Sequence, residues 1–330
     1  MAEWLYEEGI GENRAALVEG DTLVEALIEL PGAVRSGSVL PARLTTILVP
    51  GRRGIATLEG GGEALVEPLP GKLTEGAAIR VEIVREAIAE PGRAKLPKGR
   101  ISDGEPAEGP SLIERISASS HAVVALSPFG PDRLERAGWS DTLEQALTGE
   151  IPFEGGGLRM SLTPAMTLFD VDGALAPAPL AVAGAAAAAR AVRLFGIGGS
   201  IGIDLPTLSS KDERQAAAAA VDAVLPQPFE RTAVNGFGFL QIVRRRTRAS
   251  LPELLQGDRV GAAARALLRL AERVPGVGER TIVAAPPVIE RIEAAPEWLS
   301  VLQRRIGASV GLQAEPGLAI SAGHVHARFA

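Results

Sequence analysis

Two stretches decide how this chain is read: Ala165-Met-Thr-Leu-Phe-Asp170-Val-Asp172-Gly173 and Gly198-Gly-Ser-Ile-Gly-Ile-Asp204-Leu205. Each is a short apolar run ending on aspartate, the pattern of a buried strand that delivers a carboxylate at its C-terminal edge. Open α/β sheets place their ligands at that edge. Between the two runs, residues 179–194 are Ala-rich and have the composition of a crossover helix, so the pair reads as one βαβ unit with adjacent strands. A lone aspartate at a strand end most often caps or marks that end. Asp170, Asp172 and Asp204 on neighbouring strands repel one another unless a cation lies between them, and hard oxygen ligands suit Mg²⁺ or Mn²⁺. The pairing therefore points to metal-assisted phosphate chemistry.

C-terminal to this unit the pattern predicts a helix over 210–224 with Ser210 as its N-cap, then an apolar run over 233–243. The dense cluster Arg244-Arg-Arg-Thr-Arg248 follows. A charge run is usually a solvated face, but a basic surface beside a metal site is what a polyanionic substrate requires. The remaining segment predicts a helix over 260–273, a strand over 281–285, a helix over 287–306, a strand over 309–315 and a last strand holding His324 and His326. Those two histidines share a face, and no third ligand suggests zinc. N-terminal to the unit, residues 1–100 alternate short β-like runs (14–18, 22–30, 37–49, 54–58, 64–68, 77–84) with Gly and Pro turns, which suggests a small barrel of OB type. Residues 90–110 lack apolar periodicity and read as a linker, with Arg93, Lys95, Lys98 and Arg100 as a looser basic group.

The chain has 330 residues, 46% of them apolar, and a net charge of −6, which describes a globular protein with room for two or three domains rather than a disordered one. No cysteine is present, so disulfides, a thiolate nucleophile and cysteine-ligated zinc are excluded. The longest apolar stretch, 174–189, is short and Pro-interrupted, so no membrane span is expected. The N-terminus does not read as a signal peptide, and a cytoplasmic location is expected. Phe169-Asp-Val-Asp-Gly also matches the opening motif of haloacid-dehalogenase-type phosphatases, with Asp170 as nucleophile. That fold normally opens on this strand, whereas here the motif lies mid-chain without a convincing downstream lysine and acidic pair.

Four segments in order, Thr167-Leu-Phe-Asp-Val-Asp-Gly, Arg193-Leu-Phe-Gly-Ile-Gly-Gly-Ser-Ile-Gly-Ile-Asp, Thr232-Ala-Val-Asn-Gly-Phe and Arg244-Arg-Arg-Thr-Arg-Ala-Ser, resemble the catalytic region of the RNase E/RNase G endoribonucleases. Ile282-Val-Ala-Ala-Pro-Pro-Val-Ile-Glu-Arg and the stretch from Ile306 to Pro316 look like that family's small domain, and weaker similarity reaches the N-terminus. The resemblance implies an α+β multi-domain protein. An OB-type barrel (36–92) is inserted in an RNase H-like subdomain (1–35 and 111–148), and a linker (93–110) stands where the family carries its 5′-sensor. A DNase I-like α/β catalytic subdomain (149–253) and a small C-terminal α/β domain (254–330) complete it. It further implies Mg²⁺-dependent cleavage of single-stranded RNA, with Asp170 and Asp204 matching the magnesium-ligating aspartates. Asp172 stands where an asparagine orients the attacking water, and Pro164 stands where the family tends to have Glu. Arg244, Arg246 and Arg248 become candidates for phosphate contact, and Arg231 matches one sensor arginine. The family's zinc-linking cysteines are absent, so a homo-oligomer would need another contact. Ala56 and Val66 fall where exposed stacking aromatics are expected, leaving Arg43, Arg52, Arg53 and Lys72 to grip RNA. Loss of the sensor implies cleavage independent of the RNA 5′ end. The alternative is a catalytically degenerate RNA-binding protein on the same scaffold.

Overall fold

The computed structural model describes residues 2–90, 94–276 and 278–328. The chain opens with an antiparallel meander of β1 (Ala2–Glu8), β2 (Asn13–Glu19) and β3 (Thr22–Glu29). A closed barrel follows, built from β4 (Val39–Val49), β5 (Arg53–Leu58), β6 (Glu63–Val66), β7 (Ala78–Arg85) and β8 (Lys98–Ile101), with strand order β4-β5-β6-β8-β7. Leu44, Ala56, Leu58, Ala64, Val66, Val81 and Ile83 fill its interior. Five strands in a small closed barrel are consistent with an OB-type fold.

Helix α1 (Leu112–Ser117) then leads to β9 (Ala122–Ala125), which returns to pair parallel with β1. The first sheet, of order β3-β2-β1-β9, is thus completed after the barrel, which is inserted in the chain between β3 and α1. Two sequence expectations change here. The runs at 14–18 and 22–30, grouped by spacing with barrel strands, pair outside the barrel. The stretch expected to be a linker supplies β8, and Ala107 bridges Val39. Lys98-Gly-Arg-Ile carries a single large apolar side chain, so pairing with β6 and β7 makes it a strand where local pattern could not. Arg93 lies outside the described residues.

After α2 (Arg133–Arg136) and α3 (Trp139–Thr148) comes a mixed sheet. Its elements are β10 (Glu150–Phe153), β11 (Gly156–Leu162), β12 (Thr167–Gly173), α4 (Pro177–Leu194), β13 (Gly199–Asp204), α5 (Lys211–Val224), β14 (Glu230–Arg231) and β15 (Phe239–Arg244), with strand order β10-β11-β12-β13-β15-β14. The expected βαβ unit is present: β12 and β13 are parallel neighbours joined through α4. Alternation fixes which face does what. Phe169, Val171, Ile201 and Ile203 are buried with the Ala-rich side of α4, whose Ala181, Ala185, Ala188 and Val192 also lie in the core. Leu168, Asp170 and Asp172 therefore point to the other face. Helix α5 starts at Ser210 as expected, with a capping box in which the Glu213 N–H donates to Ser210 Oγ at 3.1 Å and the Ser210 N–H donates back to the Glu213 carboxylate at 3.0 Å.

The last segment packs α6 (Leu251–Gly257), α7 (Arg259–Arg273), β16 (Arg280–Ala284), α8 (Pro286–Glu293), α9 (Pro296–Ile306), β17 (Val310–Ala314) and β18 (His324–Ala327), with a small sheet of order β17-β16-β18. The single helix expected over 287–306 is two, because Pro296 lacks an N–H and starts a new helix at its own first turn. Helix α7 packs Ala264, Leu267 and Leu268 with Ile10 of the β1–β2 turn, and buried ion pairs add to that contact. Glu7 and Arg14 are each 1% exposed, and Arg14 Nη2 donates to Glu7 at 3.0 Å and to Asp132 at 3.3 Å. Arg273 of α7 pairs with both acids, and Arg265 and Arg269 hold Glu12. No helix among the described residues is long and apolar enough to cross a membrane.

Candidate active site

Asp170 and Asp204 are direct register partners in the parallel β12–β13 pair, so their Cα atoms sit on strands about 4.8 Å apart and their side chains leave the same face. The register continues in both directions. Glu150 of β10 pairs with Arg159 of β11, Arg159 with Asp170, Asp170 with Asp204, and Asp204 with Phe239 of β15. One rung of the sheet thus reads acid, base, acid, acid, aromatic across five strands. Arg159 leans toward Glu150 at 3.6 Å. Neither Asp170 nor Asp204 has an ion pair within 4.0 Å or a side-chain hydrogen bond among the described residues. Two exposed, uncompensated carboxylates side by side are the donor set for a hard cation.

Asp172 lies two residues further along β12, on the same face and paired in register with Gly157. Two residues of strand move it roughly 6.6 Å past Asp170. It adds no third member to the pair: among the described residues, no group of three His, Asp or Glu is placed to share an ion. Mg²⁺ suits such a two-carboxylate site because it keeps several of its waters.

The edge beside Asp204 is shaped by a turn at Asn235–Gly238, inside the apolar run expected over 233–243, so that the strand begins only at Phe239. Asn235 Oδ1 accepts the N–H groups of Phe237 and Phe239 at 2.9 and 3.0 Å. Gly238 in this turn has φ +93°, and a Cβ there would fall 2.2 Å from the Leu205 carbonyl oxygen, so only glycine lets the turn close against the residue after Asp204. The result is Phe237, 86% exposed, two residues from the register partner of Asp204. The Phe239 ring lies over Gly202 against Leu168. An exposed aromatic in an Asn-Gly turn was the available clue to Phe237.

The barrel residues sort differently from expectation. Ala56 and Val66 are fully buried interior positions, because β5 and β6 alternate with Gly54, Ala56 and Leu58 turned inward, so they cannot present stacking side chains to solvent. Arg52, Arg53 and Lys98 converge on one carboxylate, Glu67, at 3.7, 3.1 and 2.9 Å. Hydrogen bonds from Lys98 and Arg53 hold the Glu67 carboxyl down at about 2. Three cations against one acid leave a net positive surface, to which Lys98 belongs although the sequence assigned it to a linker. Lys72 is exposed, and Arg43 donates to the Gly76 carbonyl at 2.7 Å.

The arginine cluster is not beside the aspartates. β15 runs antiparallel to β13, pairing Phe239 with Asp204 but Arg244 with Gly199, at the opposite end of both strands. Arg244, Arg246 and Arg248 are therefore too far to touch a phosphate held at Asp170 and Asp204. Nearness in sequence misled because the chain turns back on itself before β15. Arg231 is engaged by both carboxylate oxygens of Asp222 on α5, an ion pair that raises its pKa above the ordinary arginine value.

Fold and site together define an α+β protein with a small closed barrel and a register-paired carboxylate site on a mixed sheet. Its sequence is similar to Ribonuclease G of Escherichia coli (strain K12), at 26% identity over 202 residues, covering 53% of this chain and 41% of that protein. Ribonuclease G of Salmonella typhimurium (strain SL1344) is similar to the same extent. The chain thus matches less than half the length of these curated relatives. No protein-family model matches the chain.

Proposed function

We propose that the chain is a Mg²⁺-dependent endoribonuclease of the RNase E/G type, acting on single-stranded RNA. The observation that carries this reading is the direct register pairing of Asp170 with Asp204 on an open sheet face, neither of them held in an ion pair among the described residues. The similarity to Ribonuclease G supports the same class. Asp170 and Asp204 would hold the ion. When bound, Mg²⁺ lowers the pKa of a coordinated water and stabilises charge on a scissile phosphate.

The chain's own groups supply the rest. Asp172, on the same face, accepts a hydrogen bond from water and so fixes the direction of its lone pair. Arg52, Arg53, Lys72 and Lys98 attract the phosphate chain to the OB-type barrel. Phe237 offers a flat apolar surface for a base next to the cut. Base–aromatic stacking is worth roughly 1–3 kcal/mol, so Phe237→Ala is expected to weaken single-stranded RNA binding about tenfold in a filter or anisotropy titration. An unchanged affinity would remove Phe237 from the site.

In this assignment the β1–β3 and β9 sheet is RNase H-like and the six-stranded sheet DNase I-like. The region where the family carries its 5′-sensor holds β8 and its flanking loops, and Arg231 is committed to Asp222. Cleavage therefore proceeds alike on 5′-monophosphate and 5′-hydroxyl RNA. Incubating single-stranded RNA with the protein in Mg²⁺ or in EDTA tests the proposal. Internal cuts with 5′-phosphate products in Mg²⁺ alone, at rates within a few-fold for the two 5′ ends, are expected. Absence of any Mg²⁺-dependent cut overturns the enzyme in favour of an RNA-binding scaffold.

A further inference from the structure

At the far end of β15 from the aspartates lies a cavity of about 310 Å³. Its wall carries Arg193, Arg244, Arg245, Arg246 and Arg248 against a single carboxylate, Glu25. Among the described residues, ion pairs account for only two of these arginines: Arg193 reaches Glu25 at 3.2 Å and Glu19 at 3.5 Å, and Arg246 pairs with Glu253. Arg244 spends one N–H on the Ile197 carbonyl at 3.1 Å. Among the described residues, neither it, Arg245 nor Arg248 has a carboxylate within 4.0 Å. The buried Nε of Arg246 has no acceptor. Burial holds the Arg244 and Arg248 guanidinium groups below the ordinary arginine value; for Arg248 the charge of Arg115 adds to it while Glu86 and Glu25 act against it, as Glu25 does for Arg244.

The pocket is also held in shape. A Cβ on Gly198 would come within 2.9 Å of the Arg245 carbonyl oxygen, so the glycine lets the loop before β13 close directly onto the arginine segment. Several guanidinium groups concentrated in a partly buried cavity repel one another unless a counter-ion enters.

We propose that this cavity is a binding site for a phosphate dianion, separate from the carboxylate pair. Arginine's planar fork matches phosphate oxygens two at a time, and the surplus of cations suits a terminal phosphate better than a singly charged phosphodiester. Asp204 pairs with Phe239 and Gly199 with Arg244. Five residues of strand therefore separate the two sites by roughly 16 Å, too far for one phosphate to serve both. The site does not depend on the endoribonuclease assignment. Two sources present this chemistry: a free phosphate or mononucleotide, and the phosphorylated end of an RNA.

Calorimetric titration of the full chain with inorganic phosphate, in EDTA and at constant ionic strength, tests the proposal. One saturable site is expected, weakened tenfold or more by Arg248→Gln and by Arg244→Gln, and unchanged in Asp204→Asn. Circular dichroism checks that each variant is folded, and Arg245→Ala, at an exposed residue, is the fallback should the variants at the partly buried Arg244 and Arg248 unfold. A nucleoside 5′-monophosphate and two RNA oligonucleotides differing only in a 5′-phosphate or 5′-hydroxyl then distinguish the sources. A preference for the phosphorylated oligonucleotide that disappears in Arg248→Gln assigns the site to RNA ends. Equal binding of the oligonucleotides with tight mononucleotide binding assigns it to free nucleotide. No saturable phosphate binding, or binding indifferent to folded arginine variants, overturns the site.

Discussion

Asp204→Asn is expected to lower Mg²⁺-dependent RNA cleavage by roughly a thousandfold, with RNA affinity within a few-fold of the parent. The substitution keeps size and hydrogen bonding but removes one of two charges that would hold the ion. Metal stabilisation of a phosphoryl transition state is worth several kcal/mol, and each 1.36 kcal/mol is a factor of ten in rate. RNA affinity is expected to survive because the cations proposed to attract the phosphate chain lie on the barrel, around Glu67. Asp170→Asn should behave alike, since the two are register partners. Single-turnover cleavage alongside a binding titration separates the two effects. Cleavage retained within a few-fold in either variant would exclude the pair as the cutting centre. Phosphomonoester turnover abolished by Asp170→Asn, with no RNA cleavage in the parent, would instead favour a phosphatase.

Glu7→Gln carries the largest expected effect on stability. Its carboxylate is 1% exposed and joins Arg14 of β2 to Arg273 of α7, so neutralising it strands two arginine charges in the interior. Breaking one partner of a buried pair costs about 3–5 kcal/mol, which lowers the melting temperature on the order of 10 °C. A shift of only a degree or two would show that Asp132 alone satisfies both arginines. Asp132 also makes the network acid-sensitive. Burial raises its pKa, but the Glu135 N–H and the charges of Arg14 and Arg273 outweigh that and hold it below the ordinary aspartate value. A carboxyl depressed in the folded state contributes stability above its unfolded pKa of about 3.9 and loses it as pH falls through the lower native value. Melting temperatures below pH 4 should therefore fall less steeply in Asp132→Asn than in the parent.

Much of the candidate site was legible before the fold. The apolar runs ending at Asp170 and Asp204, with an Ala-rich stretch between, mapped onto β12, α4 and β13 within a residue or two. Ser210 announced the start of α5 as its N-cap. Both are local patterns, set by residues a few positions apart, and composition alone excluded cysteine chemistry. β8 was hidden because Lys98-Gly-Arg-Ile has no alternation to read and becomes a strand only between β6 and β7. Ala56 and Val66 looked like surface positions until the barrel's closure turned them inward.

What the sequence by itself determined is the inventory: a βαβ unit offering two aspartates at strand ends, a β-rich N-terminal region, and an arginine cluster after an apolar strand. Only the tertiary structure decided which of these meet. Parallel pairing put Asp170 beside Asp204, whereas the antiparallel return of β15 carried Arg244 to the opposite end of the sheet and left Phe237 at the aspartates' edge. The physical reason is that strand direction and register depend on backbone partners distant in sequence, and reversing one strand exchanges its two ends without altering a single local pattern.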